Sequence, residues 1–360
     1  MSTRKDILFL LPYPLHRAPS QRFRVENFLF LLEKQKKSYT LAPFMTERIW
    51  RILYKKGNIM SKALGISRCF LKRWGLVLSS AYRYQYIYIH REAAPLGPPI
   101  LEWFLAKVLG KKIIYDFDDA IWIPNTSSEN RIAGLVKSFW KVAAICKWSY
   151  KISVGNDFLA AYAQKSGARQ VCTIPTVVNT ASRYNCLKEH HDGRLVVGWT
   201  GSHSTLKFLN DIIPVIQQLQ NEFDFTFLVI ADKKPELQLK SWIFCPWDEQ
   251  TEIEDLLKID IGIMPLTQDQ WSEGKCGFKL IQYLSLGIPA IAQSVGVNKL
   301  IIEHEVNGFI ADTTSEWLHA IRTLLQDTQL RTTMGKAGRA KMIQSYSIAA
   351  QQAAFLGLFS

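Results

Sequence analysis

The chain has 360 residues, of which 48% are hydrophobic and 21% are charged. This length corresponds to about two domains, and the composition excludes a disordered tail, a collagen-like fibre and a disulfide-stapled miniprotein. Charge is uneven, because residues 1–190 carry 30 basic and 12 acidic residues whereas residues 191–360 carry 14 and 19. We therefore expect the basic first half to face a polyanion or an anionic membrane surface, and the second half a different partner.

Cysteine usage and hydropathy indicate the compartment. The six cysteines are scattered, without a C-x-x-C pair or a His/Cys cluster of zinc-like spacing, which favours a reduced cytosolic chain. Asp6 and two prolines interrupt the apolar start, so we interpret it as a first strand rather than a signal peptide. Without a run of about 18 apolar residues, no transmembrane helix is predicted. We expect a cytoplasmic protein that associates with the inner face of a membrane, if at all, as a peripheral protein.

Short apolar runs alternate with helical patterns along the chain, which predicts parallel sheets wrapped by helices. In the first half, strands are predicted at 7–11, 39–43, 86–90, 112–116, 151–154 and 171–175, with helices at 22–36, 98–109, 131–148 and 157–166. In the second half, strands are predicted at 195–200, 224–230, 261–264 and 290–293, with helices at 205–221, 249–257, 277–286, 315–326 and 330–345.

Two successive series of this kind predict an α/β protein with two Rossmann-like lobes whose parallel sheets face a cleft between them. We expect the lobes to comprise residues 1–185 and 195–345, joined through a polar linker within 183–194. The remaining residues 346–360 are expected to form a helical tail that packs back on the first lobe.

Residues 44–85 form a basic insertion in the first lobe. The stretch 44–89 holds nine basic residues and one acid, Glu47, with aliphatic residues and tryptophans at roughly helical spacing. Such a helix can lie on an anionic bilayer, and the cations expected to contact it are Arg48, Arg51, Lys55 and Lys56. The alternative is a helix packed on its own lobe with a solvated basic face. Nucleic-acid binding is not expected, because no recognised nucleic-acid-binding motif accompanies the charge.

The sequence GKCGFK (Gly274–Lys279) joins a loop to a predicted helix. Glycines there allow the backbone to approach a ligand, and the first N–H groups of a helix favour an anion. Lys275 and Lys279 add two positive charges in a half that is otherwise acidic, which suits a diphosphate. The two lysines share a helix face only if the helix starts near Lys275; otherwise Lys275 belongs to the loop.

The segment Asp260–Phe309, with GKCGFK, a Q-Y pair and GIPAIA, resembles the nucleotide-sugar lobe of the retaining GT-B glycosyltransferases, the family 4 group. The resemblance extends to VGWTGSHSTLKFL (Val197–Leu209), IYDFDDAIW (Ile114–Trp122) and ISVGNDFLAAYAQKSG (Ile152–Gly167). It implies a GT-B fold, transfer of a sugar with retention, and no metal or other cofactor beyond the nucleoside-diphosphate sugar itself.

The resemblance also implies roles for donor-binding residues. The family's glutamate that holds the ribose corresponds to Gln282, and its glutamate eight positions earlier corresponds to Gly274, so this chain departs from the E-x7-E pattern. Sugar contact is then expected from the backbone of Gly277 and Phe278, or from Lys275. The remaining donor contacts implied by the resemblance, in the loop after the lobe's first strand, are Gly201, Ser202 and Lys207.

The first lobe contributes acids, a histidine and arginines near predicted strand ends. Asp118 and Asp119 in the DFDD segment and His90 at the end of the preceding strand are the candidate catalytic residues. The two acids could orient an acceptor hydroxyl or serve as structural carboxylates, and His90 could instead be a loop histidine with satisfied hydrogen bonds. A D-x-D pair can bind a metal, but the resemblance implies metal independence. The loop after the first strand carries arginines suited to a phosphate or carboxylate, namely Arg17, Arg22 and Arg24. No sequence pattern of a Ser/His/Asp hydrolase, a zinc protease or a P-loop is present.

The leading hypothesis is therefore a glycosyltransferase that uses a nucleoside-diphosphate sugar and a glycan or lipid-linked acceptor, in cell-envelope or exopolysaccharide synthesis. One alternative is a nucleotide-sugar epimerase on the same fold, which the missing glutamates allow. Another is a non-catalytic module that binds a glycan or a nucleotide. The last alternative is a protein that binds a polyanion through the basic insertion.

Overall fold

The computed structural model describes residues 5–53, 57–124 and 138–360. The chain divides into two compact units, the first formed by Met1–Pro175 with Gln352–Ser360 and the second by Thr176–Gln351. In its described residues, each unit contains a six-stranded parallel sheet with helices. The predicted α/β fold class is confirmed.

The first sheet has the strand order β2-β1-β3-β4-β5-β6. Its strands are β1 Lys5–Leu11, β2 Tyr39–Pro43, β3 Tyr84–His90, β4 Lys112–Phe117, β5 Lys151–Val154 and β6 Val171–Thr173. The order reverses between β1 and β3, which pair in parallel with Leu10 opposite Ile89. In an open parallel sheet such a switch point leaves a crevice at the carboxyl ends of the strands, where ligands bind.

Helices of the first unit are shorter than the sequence predicts. The helix predicted over 22–36 is broken at Val25, and it starts earlier because Pro19 suits a first helical position. Of the predicted helix 131–148, residues 131–137 lie outside the described residues, residues 138–140 form a turn, and Lys141–Trp148 are helical. The helices are Pro19–Arg24, Leu29–Lys34, Glu47–Leu53, Ile59–Ser80, Ile100–Trp103, Lys141–Trp148 and Asp157–Lys165, with a π-helical turn at Phe104–Val108.

The C-terminal residues pack on the first sheet through aromatic contacts. Phe355, on the helix Ile348–Gly357, stacks on Phe28 with ring centroids 4.3 Å apart. Phe359 lies edge-on to Phe9 at 6.2 Å, and the Lys151 ammonium donates to the carbonyl of Gly357 at 2.7 Å. Residues 352–360 therefore complete the core of the first unit.

The second sheet has the order β12-β11-β10-β7-β8-β9, so its switch point lies between β7 and β10. Its strands are β7 Leu195–Gly201, β8 Phe225–Ala231, β9 Trp242–Pro246, β10 Ile261–Met264, β11 Ala290–Ala292 and β12 Gly308–Ile310. The two outermost strands, β9 and β12, were not predicted from the sequence. Both lie at an edge of the sheet; the apolar run Trp242–Cys245 of β9 was overlooked, and β12 has only three residues.

Most helices of the second unit follow the predicted pattern, but two short ones, Gln270–Glu273 and Asn298–Ile301, were not predicted. The helix predicted over 205–221 is instead a 3-10 helix, His203–Leu209, followed by a short α-helix that has Pro214 in its first turn. The α-helices are Ile213–Leu219, Glu252–Leu256, Gln270–Glu273, Phe278–Ser285, Asn298–Ile301, Thr314–Gln326 and Thr328–Ser345. In the described part of the chain, no helix is long and apolar enough to span a bilayer.

The polar segment 183–194, expected as a linker, is packed onto the second unit. Tyr184 is fully buried, and the Arg339 guanidinium donates to its carbonyl at 2.5 Å. Lys188 forms an ion pair of 2.9 Å with the buried Asp260. Several side chains of the segment thus pair with the second unit, while its residues 191–194 are exposed.

Candidate functional site

The helix Phe278–Ser285 is fixed at the switch point of the second sheet. The Tyr283 hydroxyl on this helix accepts a hydrogen bond of 2.9 Å from the backbone N–H of Thr200 in β7. Gly262 in β10 makes room for that ring, because a Cβ at this position would lie 2.4 Å from Tyr283. The helix therefore crosses β7 and β10, and its amino end lies near the carboxyl ends of these strands.

Gly277 is the residue from which this helix starts. It has a φ of +65°, in the left-handed region that favours glycine, and the helix begins at the next residue, Phe278. Lys275 therefore belongs to the preceding turn, and it does not share a helix face with Lys279. Gly277 has no side chain that could cap the helix, and its first turn carries no acidic residue. The positive end of the helix dipole therefore has no acidic residue within the first turn of the helix itself.

Both lysines of this segment lie over tryptophan rings. The Lys279 ammonium is 5.3 Å from the ring centroid of Trp199 in β7, and the Lys275 ammonium is 4.7 Å from that of Trp271. A ring face attracts a cation and restricts where it can go. Both side chains are half-buried, so the two charges are held near the helix start rather than spread through solvent.

The loop after β7 holds the other predicted donor residues. Ser202 and Lys207 are exposed, and Ser202 precedes the 3-10 helix that contains Lys207. The space beside Gly201 is filled by the chain itself, since a Cβ there would lie 2.4 Å from Trp199 and 2.8 Å from the Thr205 hydroxyl. Internal packing is therefore sufficient to explain glycine at position 201.

Lys207 acts electrostatically on the loop that follows β10. Asp269 in that loop accepts hydrogen bonds from the Thr267 hydroxyl at 2.6 Å and the Ser272 backbone N–H at 2.7 Å. Burial raises the pKa of Asp269, but these hydrogen bonds and the charge of Lys207 outweigh burial and lower it. The charge of Lys207, in the 3-10 helix after β7, therefore acts on Asp269 in the loop after β10.

Gln282, predicted to hold a ribose, is 3% exposed. Its amide nitrogen donates to the Tyr184 hydroxyl at 2.8 Å and lies 3.4 Å from a carboxylate oxygen of Glu252. This network ties the segment 183–194 to the helix and gives Gln282 a structural role. Its contact with a ribose stays a prediction, as do the backbone contacts of Gly277 and Phe278 with the sugar.

In the first unit, the switch point carries a chain of hydrogen bonds through His90. His90 Nδ1 lies 2.7 Å from Asp116 Oδ2, and Nε2 lies 2.9 Å from Ser20 Oγ. Both His90 and Asp116 are fully buried, and they end the neighbouring strands β3 and β4. The order and distances are those of a Ser-His-Asp arrangement, which the sequence pattern did not reveal. The Ser20 hydroxyl, however, also donates to Asp118 at 2.7 Å, so it is not reserved for the imidazole.

Asp118 and Asp119 are held by one arginine, Arg91. Its guanidinium donates to Asp118 at 2.7 Å and is also paired with Asp119. Arg91 has a φ of +59°, an uncommon conformation for a residue with a side chain, which turns the chain out of β3 toward these acids. Both acids are therefore gathered near His90, as the sequence predicted by topology, but their charges are already compensated.

The three predicted phosphate-binding arginines differ in how far they are buried. Arg24 is 3% exposed; its guanidinium pairs with Asp116, donates to Ser153 at 2.9 Å and contacts the carbonyl of Ile174. Arg22 is also buried, with its guanidinium 5.0 Å from the Phe23 ring, because residues 19–24 form a helix and not the expected surface loop. Of the three, only Arg17 is exposed, and it pairs with Glu47 at 3.0 Å.

These pairs keep the carboxylates ionised. Burial raises the pKa of Asp116 and of Asp118, but Arg24 beside Asp116 and Arg91 beside Asp118 outweigh it and hold both pKa values below the ordinary range. Sequence reasoning missed Ser20 and assigned no role to Arg91. Arg91 could have been found from its place directly after a strand at the switch point, whereas Ser20 has no sequence signal.

The remaining predictions concern metals and the membrane. Within residues 5–53, 57–124 and 138–360, no group of His, Cys, Asp or Glu side chains is arranged to hold a metal ion. Arg48 and Arg51 are exposed on the helix Glu47–Leu53, and Arg51 lies 4.0 Å from Glu47. Lys55 and Lys56 lie outside the described residues.

Comparison with known proteins identifies the fold. Residues 194–327 match the family described as glycosyl transferases group 1. No curated protein matches the sequence significantly. Sucrose-phosphate synthase from Thermosynechococcus elongatus superposes with a TM-score of 0.71 at 14% identity, over 98% of both chains. A glycosyltransferase from Rickettsia africae superposes with a TM-score of 0.69 at 13% identity, over 99% of this chain and 98% of that chain. HepE from Anabaena, in complex with UDP and glucose, superposes with a TM-score of 0.65 at 16% identity, over 98% of this chain and 99% of that chain. The chain therefore has the fold of the GT-B glycosyltransferases, and residues 194–327 of its second unit are similar to the glycosyl transferases group 1 family.

Proposed function

We propose that this protein transfers a sugar from a nucleoside-diphosphate sugar to a glycan or lipid-linked acceptor, with retention at the anomeric carbon. The observation that carries the proposal is the start of the helix Phe278–Ser285 at the switch point of a group 1 domain. Lys275 and Lys279 lie there beside a helix start that has no acidic residue in its first turn. This is an arrangement suited to a diphosphate.

The chemical contribution of this edge is electrostatic. As the bond between the sugar and the diphosphate breaks, negative charge grows on the leaving phosphate. Fixed lysine charge and helix N–H groups stabilise that charge without reorganising. Lys207, whose charge reaches the loop after β10, extends the positive surface toward the nucleotide. No metal or other cofactor is needed for this step.

The first unit is the proposed acceptor side. Its switch point presents Ser20, Arg91, Asp118 and Asp119 in one hydrogen-bonded group, which suits orientation of a hydroxyl-rich molecule. The fully buried His90 acts in this proposal as a positioning residue, because it contacts Ser20 and Asp116. The basic character of residues 1–190 suits an acceptor with phosphate groups, located at the cytoplasmic face of a membrane in cell-envelope or exopolysaccharide synthesis.

Structural neighbours support the class of donor. HepE from Anabaena has been crystallised with UDP-glucose, and TarM from S. aureus with UDP and α-GlcNAc-glycerol. The TarM match covers 81% of this chain and 58% of that one. A UDP-hexose is therefore the first donor to test.

The test is calorimetric titration with nucleoside diphosphates and their sugars, followed by turnover assays. The double variant Lys275→Ala/Lys279→Ala is expected to bind UDP roughly 100-fold more weakly, because each hydrogen bond to a charged group contributes about 1.5 kcal/mol or more. The matched control is Lys299→Ala/Lys336→Ala, which removes two exposed lysines of the same unit. Equal affinity of both variants would remove the proposed diphosphate site.

Turnover separates transfer from the alternatives. Donor consumption that requires an added acceptor supports a transferase. Conversion of the donor sugar without an acceptor would indicate an epimerase. Nucleotide binding without any conversion, with every acceptor offered, would indicate a binding module.

A further inference from the structure

The long helix Ile59–Ser80 is fixed in its rotation by its inward face. Cys69, Arg73 and Val77 on this face are buried. The Arg73 guanidinium donates to the carbonyls of Leu11 at 3.0 Å and Ala42 at 2.8 Å, at the ends of β1 and β2. Burial lowers the pKa of Arg73 to about 10, but it stays protonated at neutral pH. These contacts determine which residues of the helix face solvent.

The opposite face of this helix is apolar. Met60, Leu64, Leu71 and Leu78 are 77%, 56%, 73% and 59% exposed. Their spacings of four, seven and seven residues place them in one stripe along the helix. The centre of the exposed face of a surface helix is ordinarily polar. This helix is therefore built with one face for its own unit and a second apolar face for something else.

Charge indicates what covers this stripe. Arg68 and Lys72 are exposed along one side of it, and the sequence has no acidic residue between Glu47 and Glu92. A second copy of the chain would bring these cations against themselves, which disfavours self-association. A surface that accepts leucines and attracts cations at the same level is the interface of an anionic lipid bilayer.

We infer that the outward stripe of the helix Ile59–Ser80 inserts into an anionic bilayer surface, with Arg68 and Lys72 at the level of the lipid phosphates. This docking surface differs from the cations of residues 48–56 predicted from sequence, because it combines insertion of leucines with charge. The inference does not rest on the proposed sugar transfer, since it concerns a helix of the first unit and uses no residue of the donor site.

The experiment is co-sedimentation of the full chain with vesicles of phosphatidylcholine alone and with 30% phosphatidylglycerol. The wild type is expected to bind only the anionic vesicles. Leu64→Ser/Leu71→Ser is expected to reduce the partition coefficient at least tenfold. Arg68→Gln/Lys72→Gln is expected to reduce it about 30-fold at low salt, from about fivefold for each cation near the surface.

Matched controls separate docking from general effects. Ile343→Ser removes an exposed aliphatic side chain from a long helix of the second unit, and Lys165→Gln/Arg169→Gln removes two exposed cations elsewhere on the first. Both controls are expected to bind vesicles like the wild type, and circular dichroism checks that all variants fold. UDP affinity, measured in parallel without vesicles, is expected to be unchanged in every variant.

Three results would overturn the inference. One is wild-type protein that does not bind anionic vesicles. Another is full binding by the leucine variant. The last is a dimer in solution that Leu64→Ser/Leu71→Ser dissociates, because the stripe would then be a protein interface.

Discussion

The two switch points of this molecule lie at equivalent edges of two parallel sheets, yet they carry different charged side chains. In the first unit, Asp116, Asp118 and Asp119 are paired with Arg24 and Arg91, and most of these groups are buried. In the second unit, Lys275 and Lys279 lie over tryptophan rings beside a helix start without an acid in its first turn. The first edge is a cluster of carboxylates paired with arginines, whereas the second carries lysines that lie on aromatic rings.

This difference separates stability from binding. A buried ion pair is costly to break, because removal of one partner leaves the other charge without compensation in a poorly solvated place. Replacement of a half-buried lysine that lies on an aromatic ring changes the free energy of unfolding little. It does, however, weaken the binding of an anion that this lysine attracts. Mutations at the first edge should therefore act mainly on folding, and mutations at the second edge mainly on affinity.

The largest effect is expected for Asp116→Asn. The variant leaves the buried Arg24 guanidinium without its carboxylate, and such losses typically cost about 3–5 kcal/mol. For a unit of this size we expect the melting temperature in circular dichroism to fall by about 10 °C. The control Glu33→Gln changes an exposed carboxylate of the same unit in the same way and should have almost no effect. An equal melting temperature for both variants would show that Arg24 is not held by charge.

The stabilisation by the Asp116–Arg24 pair should depend on pH. The pKa of Asp116 is lower in the folded unit than its ordinary value of about 3.8. The ionised Asp116 contributes fully to the free energy of unfolding at pH values above its ordinary pKa. This contribution is lost as the pH falls toward the pKa in the folded unit, because the unfolded chain takes up the proton first. The difference in melting temperature between the wild type and Asp116→Asn should therefore narrow from pH 5 to pH 2.5. A constant difference across this range would contradict the assignment.

The smallest effect is expected at the second edge, for Gly277→Ala. An alanine there must adopt a φ of +65°, which costs about 1–2 kcal/mol, and its Cβ would lie 2.2 Å from the end of Ile301. Gly110→Ala has nearly the same φ, +60°, with open space around it, so it isolates the backbone cost. We expect Gly277→Ala to lower the melting temperature more than Gly110→Ala, and to weaken UDP binding in calorimetry while the control leaves it unchanged.

The sequence by itself determined most of the fold. The ranges of β2, β5 and β10 were predicted to the residue, and the helix after GKCGFK within one residue at each end. These features depend on local patterns: an apolar run that suits a buried strand, and a glycine before an amphipathic helix. The edge strand β9 was missed although its residues Trp242–Cys245 are apolar, and β12 was missed because three residues are too short a run to indicate a strand.

Tertiary structure alone decided which charges are compensated. Ser20 and Asp116 meet at His90 although they lie 70 and 26 positions from it in the chain, and no local pattern connects them. The burial of Arg24 and the rotation of the helix Ile59–Ser80 likewise depend on contacts with distant strands. Hydrophobic periodicity is a property of neighbouring residues, whereas charge compensation depends on distances in space, and only the folded chain determines those.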